Sequence, residues 1–180
     1  IQAEENDLRM PLNDRTKVYE RIDKAKKEGD SLGGIFTVVV RGLPPGIGSH
    51  IQYDMRLDGI LSSLLMSIPA VKAVFVGGGI FSGGITNGED IVFTCFMKPI
   101  PTMLTPLPSF DIKNMTEDAS VYERSDVTAV PACSVVAESV LAIGITSAFL
   151  EMFSFNSLSS IKANYQNYIS SIAHLWKKSF

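Results

Sequence analysis

The chain has 180 residues, 46% of them hydrophobic and 19% charged, which suits one compact domain with its own core and argues against a disordered segment. A formal net charge of −3 gives no electrostatic reason to expect nucleic acid or an anionic membrane as a partner. Cys95 and Cys133 stand in apolar runs without CxxC or Cys/His spacing, which points to buried free thiols in a reducing compartment and to no metal site.

Residues 1–13 read as an irregular lead-in with neither the basic start nor the apolar run of a signal peptide. Asp14 is placed to cap a helix that carries Val18, Ile22 and Ala25 on one face and ends at Gly29. Its lysines at 24, 26 and 27 share the helix with Glu20, Asp23 and Glu28, the pattern of a solvated face. The β-branched run 35–41 predicts a strand. A loop follows through Pro44, Pro45 and Gly46, since paired prolines before glycine continue neither regular form. Residues 55–68 read as a helix with Leu57, Ile60, Leu61, Leu64 and Leu65 inward, stopped by Pro69. Strands over 71–76 and 90–97 flank a glycine-dense segment, and short strands are expected at 110–112 and 119–122.

Two helices close the chain, an apolar one over 134–153 and an amphipathic one over about 159–176. The apolar run is about as long as a bilayer requires. Glu138, Ser139, Thr146, Ser147 and Glu151 interrupt or end it, and its small residues suit close helix contact, so a helix buried in a core or a subunit interface explains it better. Strands joined by short links favour an antiparallel or mixed sheet, giving an α+β fold with helices packed on sheet.

Three segments invite a chemical reading. Glycines 83, 84 and 88 could bring backbone N–H groups around an anion, or could simply form a hairpin loop at Asn87-Gly88; the segment matches neither the P-loop nor the dinucleotide fingerprint. In Lys98-Pro99-Ile100-Pro101-Thr102 two prolines stiffen the backbone, so an ammonium and a hydroxyl could be held for a phosphate, or the prolines could merely end a strand. Arg124 and Asp126 share a face if the segment is extended, as an exposed ion pair or as a carboxylate oriented toward a substrate. His50 and His174 are isolated from any triad or metal pattern.

In order along the chain, residues 29–34 (GDSLGG), 41–50 (RGLPPGIGSH), 65–72 (LMSIPAVK), 83–90 (GGITNGED), 98–102 (KPIPT) and 124–126 (RSD) resemble the chorismate synthase family, from about residue 6 to about residue 151. The resemblance implies an α+β fold of helices packed between antiparallel β-sheets. It implies loss of phosphate and a proton from 5-enolpyruvylshikimate 3-phosphate, giving chorismate, with reduced FMN and no net redox change. The flavin would be reduced by NADPH or by an external reductase, and the protein would be a homotetramer in the cytoplasm, or in the plastid of a photosynthetic eukaryote.

Position by position, the resemblance implies that Lys98, Pro99, Ile100, Pro101 and Thr102 form part of the FMN-binding stretch. Gly83 would offer backbone to the flavin, and Arg124 would contact the flavin region. Asp126 would assist proton transfer at the ring nitrogen, making Asp126 and Arg124 the catalytic pair. Pro69-Ala70 stand where the family often has Asn-Ala, so Ala70 carries over and the asparagine contact does not. The chain would be the C-terminal portion of a single domain, without the N-terminal half that bears two active-site histidines, a serine-rich flavin loop and several substrate arginines. A longer insertion is expected between the strand at 71–76 and Gly83, here missing or closed up. A reading of another class makes the chain a non-catalytic interaction or oligomerisation module using the 134–153 helix.

Overall fold

The structure is a computed structural model of the chain, and it describes residues 15–104, 106–121 and 126–174. Helix α1 (Arg15–Glu28) buries Ala25 alone and keeps its lysines in water, with Lys24 and Glu28 paired at 3.8 Å one turn apart. Gly29, at φ 70°, ends it in the left-handed conformation that L side chains rarely adopt. Asp14, the expected cap, lies outside the described residues.

Strand β1 (Gly34–Val40) leads through the proline loop and a short 3-10 turn at Tyr53–Met55 into helix α2 (Leu57–Met66). Strands β2 (Val71–Val76) and β3 (Ile91–Met97) follow, then β4 (Pro108–Asp111), β5 (Thr116–Ala119), α3 (Val130–Phe153) and α4 (Leu158–Ile172). The first three strands form an antiparallel sheet in the order β1-β3-β2, and β4 and β5 form a separate hairpin. In the register of β1 on β3, Gly34 faces Met97 and Val40 faces Ile91, and β3, which also pairs with β2, is the central strand.

Alternation along β3 is regular: Ile91, Phe93, Cys95 and Met97 point inward and are buried. They meet Phe36 and Val38 of β1, and Leu57, Leu61 and Leu65 of α2. Helix α3 contributes Cys133, Ala137, Leu141, Gly144 and Ala148, one stripe at helical spacing. A Cβ at Gly144 would lie 2.5 Å from Leu64 Cδ1, so glycine there lets α2 and α3 approach closely. Farther on, Phe149 and Phe153 join α3 to Tyr165 and Tyr168 of α4 through ring contacts with centroids 5.4–5.6 Å apart.

The α+β class expected from the sequence is the one found, with helices packed on an antiparallel sheet. Helix α3 is long and apolar enough by length and composition to cross a membrane, and 28% of its most apolar window is buried within the chain. Its stripe of small residues faces the core, while Val135, Val136, Ile143 and Leu150 are exposed. The outer face of the sheet also exposes Ile35, Phe75 and Phe96.

Several boundaries differ from expectation, among them the end of α4, at Ile172 rather than about 176. Helix α3 starts at Val130 rather than at 134, because Pro131 sits in the first turn, where its missing N–H has no partner to lose. Helix α2 is shorter at both ends, with the 3-10 turn before it and a tightened last turn in which Ser67 donates to both Ser63 and Leu64. The small hairpin pairs 108–111 with 116–119, since Asp111 closes the turn by accepting the amides of Lys113 (2.8 Å) and Asn114 (3.3 Å).

These amide bonds favour the ionised Asp111 carboxyl and hold its pKa below the ordinary 3.8. Folding thus gains from this group above the ordinary carboxylate pKa and loses that gain as pH falls through the lower folded value. An NMR titration of Asp111 is expected to show a midpoint under 3.8; a midpoint at or above it rules out the closed turn in solution.

Candidate functional site

At the Gly34–Met97 end of the sheet, three of the quoted strings meet. The Lys98 amide donates to the Ala70 carbonyl (2.9 Å), joining the start of β2 to the end of β3. Ser31 is buried, and its hydroxyl donates to the Ile100 carbonyl (2.5 Å). The Leu104 amide donates to Gly29 (3.0 Å), and the Leu32 amide to Val127 (2.7 Å). Leu32 also forms a parallel bridge to Thr128, which places Asp126 beside the same strap.

Ala70, Lys98, Pro99, Ile100, Pro101, Thr102 and Asp126 therefore gather at one end of the fold. Lys98, Pro99, Pro101 and Asp126 are exposed, while Ala70, Ile100 and Thr102 are partly buried. The arrangement offers a cation and a carboxylate beside proline-stiffened backbone, a donor set suited to an anionic ligand with an apolar body. Arg124 lies outside the described residues, so its place relative to Asp126 is not part of this geometry.

Gly83 is elsewhere. It precedes Ile91, at the opposite end of β3 from Met97, and a strand of that length spans about 20 Å. The surrounding segment is a tight hairpin in which Phe81 donates to Ile85 and Gly84 to Phe81, each at 2.8 Å, and Ile80 bridges Thr86. The connection is continuous, with Gly77 bonded to Val92 and Asn87 to Gly79. A hairpin is present, but its turn lies between Phe81 and Ile85 rather than at Asn87-Gly88.

Buried Thr86 stitches that hairpin to the proline loop. Its hydroxyl donates to Pro44 (2.7 Å) and accepts from the Ile47 amide (2.8 Å), and its backbone bonds both Gly46 and Ile47. Gly84 accepts from the Leu57 amide at the start of α2, and the Tyr168 hydroxyl donates to Pro45 (2.7 Å). Arg56 and Asp58 pair at 2.6 Å beside it, and the Arg56 hydrogen bond holds the Asp58 carboxyl below its ordinary range.

Ser31, Gly33, Thr86 and Tyr168 carry no individual role in the sequence. A polar side chain inside a glycine-rich string, as at Ser31 and Thr86, was the available signal. His50 and His174 are exposed. Cys95 and Cys133 are buried free thiols, with Cys95 pushed up to about 11 by burial and by the neighbouring Cys133. Among the described residues, no group of three or more His, Cys, Asp or Glu is placed to hold a metal ion.

Comparison with known proteins gives this geometry its context. The family model described as chorismate synthase matches residues 1–82 and 77–150. The chain is 39% identical to the chorismate synthase of Carboxydothermus hydrogenoformans over 204 residues, which covers 96% of this chain and 53% of that protein. To the chorismate synthase of Geobacter metallireducens it is 43% identical over 187 residues, covering 82% and 47%. A solved structure titled "Crystal Structure of Chorismate Synthase" superposes with a TM-score of 0.77 at 32% identity, covering 95% of this chain and 53% of the other.

The chain thus spans about half the length of the curated relatives it matches. The alignments are longer than the stretch of this chain inside them, so the relatives carry residues that it lacks. The two family matches overlap at residues 77–82, so the family pattern is matched in two pieces that meet at the glycine segment. On the family match, the relatives and the shared fold together, the chain belongs to the chorismate synthase family.

Proposed function

We propose that this chain forms one wall of the reduced-FMN site of a chorismate synthase, the lyase converting 5-enolpyruvylshikimate 3-phosphate to chorismate and phosphate. The observation that carries it is the convergence of Ala70, the 98–102 loop and Asp126 at one end of the sheet, in a chain of this family. The residues present fit such a ligand: an exposed ammonium suits a phosphate, and the proline faces suit a planar ring. The chemistry that reduced FMN would supply there is a transient loan of electron density for loss of phosphate and a proton from the substrate.

In this role Lys98 holds the anionic end of the cofactor, while Pro99, Ile100 and Pro101 shape the surface under it. Thr102 lies at the end of the loop and adds a polar group. Ala70 spends its carbonyl on Lys98 and presents a methyl group. Asp126 holds a proton at the flavin nitrogen, and Arg124 enters as the second catalytic residue through the resemblance alone. Gly83 enters the set through the resemblance alone, from the far end of the sheet.

The same proposal makes the chain (residues 1–180) the C-terminal portion of a single domain and FMN a cofactor reduced by NADPH or by an external reductase. It makes the assembly a homotetramer in the cytoplasm or plastid, without a nucleic-acid or membrane partner. The apolar outer faces of the sheet and of α3 are surfaces such an assembly could cover.

Titrating the chain with FMN is expected to give saturable quenching of flavin fluorescence. No binding up to about millimolar FMN sinks the proposal for this chain and favours the interaction module seated on α3.

A further inference from the structure

We propose that Ser31 and Gly33 are positioning residues that set the 98–102 loop for FMN, an inference that rests on the flavin site proposed above. Pairing of β1 with β3 ends at Gly34 and Met97, so the loop leaves the sheet just where its functional residues begin. Pro99 and Pro101 have no N–H to offer, which leaves the loop poor in donors of its own. Ser31 supplies the missing one from a side chain, donating to the Ile100 carbonyl between the two prolines. The Ser31 amide in turn donates to Asp30 Oδ1 (2.8 Å), which fixes the backbone that carries the hydroxyl.

Gly33 acts through space. A Cβ there would lie 2.4 Å from the Met97 carbonyl oxygen and 2.9 Å from the Pro99 nitrogen. Both are backbone atoms, so any side chain at 33 must push the start of the loop away rather than turn a flexible tip aside. Between these two residues, the Leu32 amide holds Val127, one position from Asp126. The strap 29–34 therefore grips the Lys98 loop on one side and the Asp126 segment on the other. The spacing between cation and carboxylate is set by the strap. Ser31 is 5% exposed, so it acts through Ile100 rather than on a ligand.

The test compares Ser31→Ala and Gly33→Ala with Thr86→Val, which removes two side-chain hydrogen bonds at the opposite end of the sheet. Two readouts are taken on the whole chain: the FMN dissociation constant, and hydrogen exchange of the ligand-free 97–104 segment. Ser31→Ala is expected to weaken FMN about three- to tenfold, the range for one lost hydrogen bond, and to speed exchange at the Lys98 and Leu104 amides. Gly33→Ala should do at least as much. Thr86→Val should lower the melting temperature while leaving 97–104 exchange unchanged.

Unchanged 97–104 exchange in Ser31→Ala overturns the positioning role, as does an equal rise in 97–104 exchange in Thr86→Val. If the parent binds FMN and Ser31→Ala binds it equally well, the positioning role fails and the flavin site stands. If the parent binds no FMN, both fall.

Discussion

Phe93→Ala is expected to lower the unfolding free energy by about 3–5 kcal/mol, the range for emptying a buried aromatic site. Phe93 has no exposed surface and sits at the middle of the central strand, between Val38 on one side and Val76 on the other. Its ring points into the core that α2 and α3 cover, where backbone hydrogen bonds on both sides keep β3 from collapsing into the space. A domain of this size holds about 5–15 kcal/mol in all, so this one substitution removes a large share. Phe96→Ala, on the outer face of the same strand and 39% exposed, should cost under about 1 kcal/mol. Urea unfolding of the two variants reads the contrast as a shift in midpoint at constant slope. Similar losses for both would mean that the outer face is covered in solution.

The contrast also shows why the sheet was legible in the sequence. Residues 35–41 and 90–97 are dense in β-branched and aromatic side chains, and the strands found there differ by a residue at most at each end. The small hairpin slipped by one to three residues because one side chain, Asp111, decides where its turn closes. The start of α3 is hidden in the sequence because proline reads as a breaker unless it falls in a first turn.

The site was legible in its parts and not in its arrangement. Six strings in order point to a family, but order along the chain does not say which strings share a surface. The pairing of β3 does: it brings Ala70 to Lys98 and carries Gly83 about a strand length away. Ser31 was invisible for a related reason, since nothing local says that its hydroxyl reaches a carbonyl 69 residues on. A single serine between Asp30 and Leu32 reads as turn chemistry until the partner strand is placed.

Lys98→Gln is expected to weaken FMN about 10- to 150-fold while leaving riboflavin within about twofold, since a hydrogen bond to a charged group is worth about 1.5–3 kcal/mol. The two ligands share the ring and differ by the phosphate, so their ratio isolates what the ammonium contributes. Glutamine keeps most of the stem and a donor, which limits lost packing as an explanation. Lys98 is exposed, so the effect should be largest at low ionic strength and shrink as salt screens the pair. The measurement is a pair of fluorescence titrations at two salt concentrations, on parent and variant. Equal weakening of both ligands would place Lys98 against the ring or in the fold rather than at the phosphate, and would move the anionic end of the cofactor to another part of the wall. A selective, salt-sensitive loss of FMN fixes the cofactor's direction, with its phosphate at the end of β3 and its ring toward Asp126.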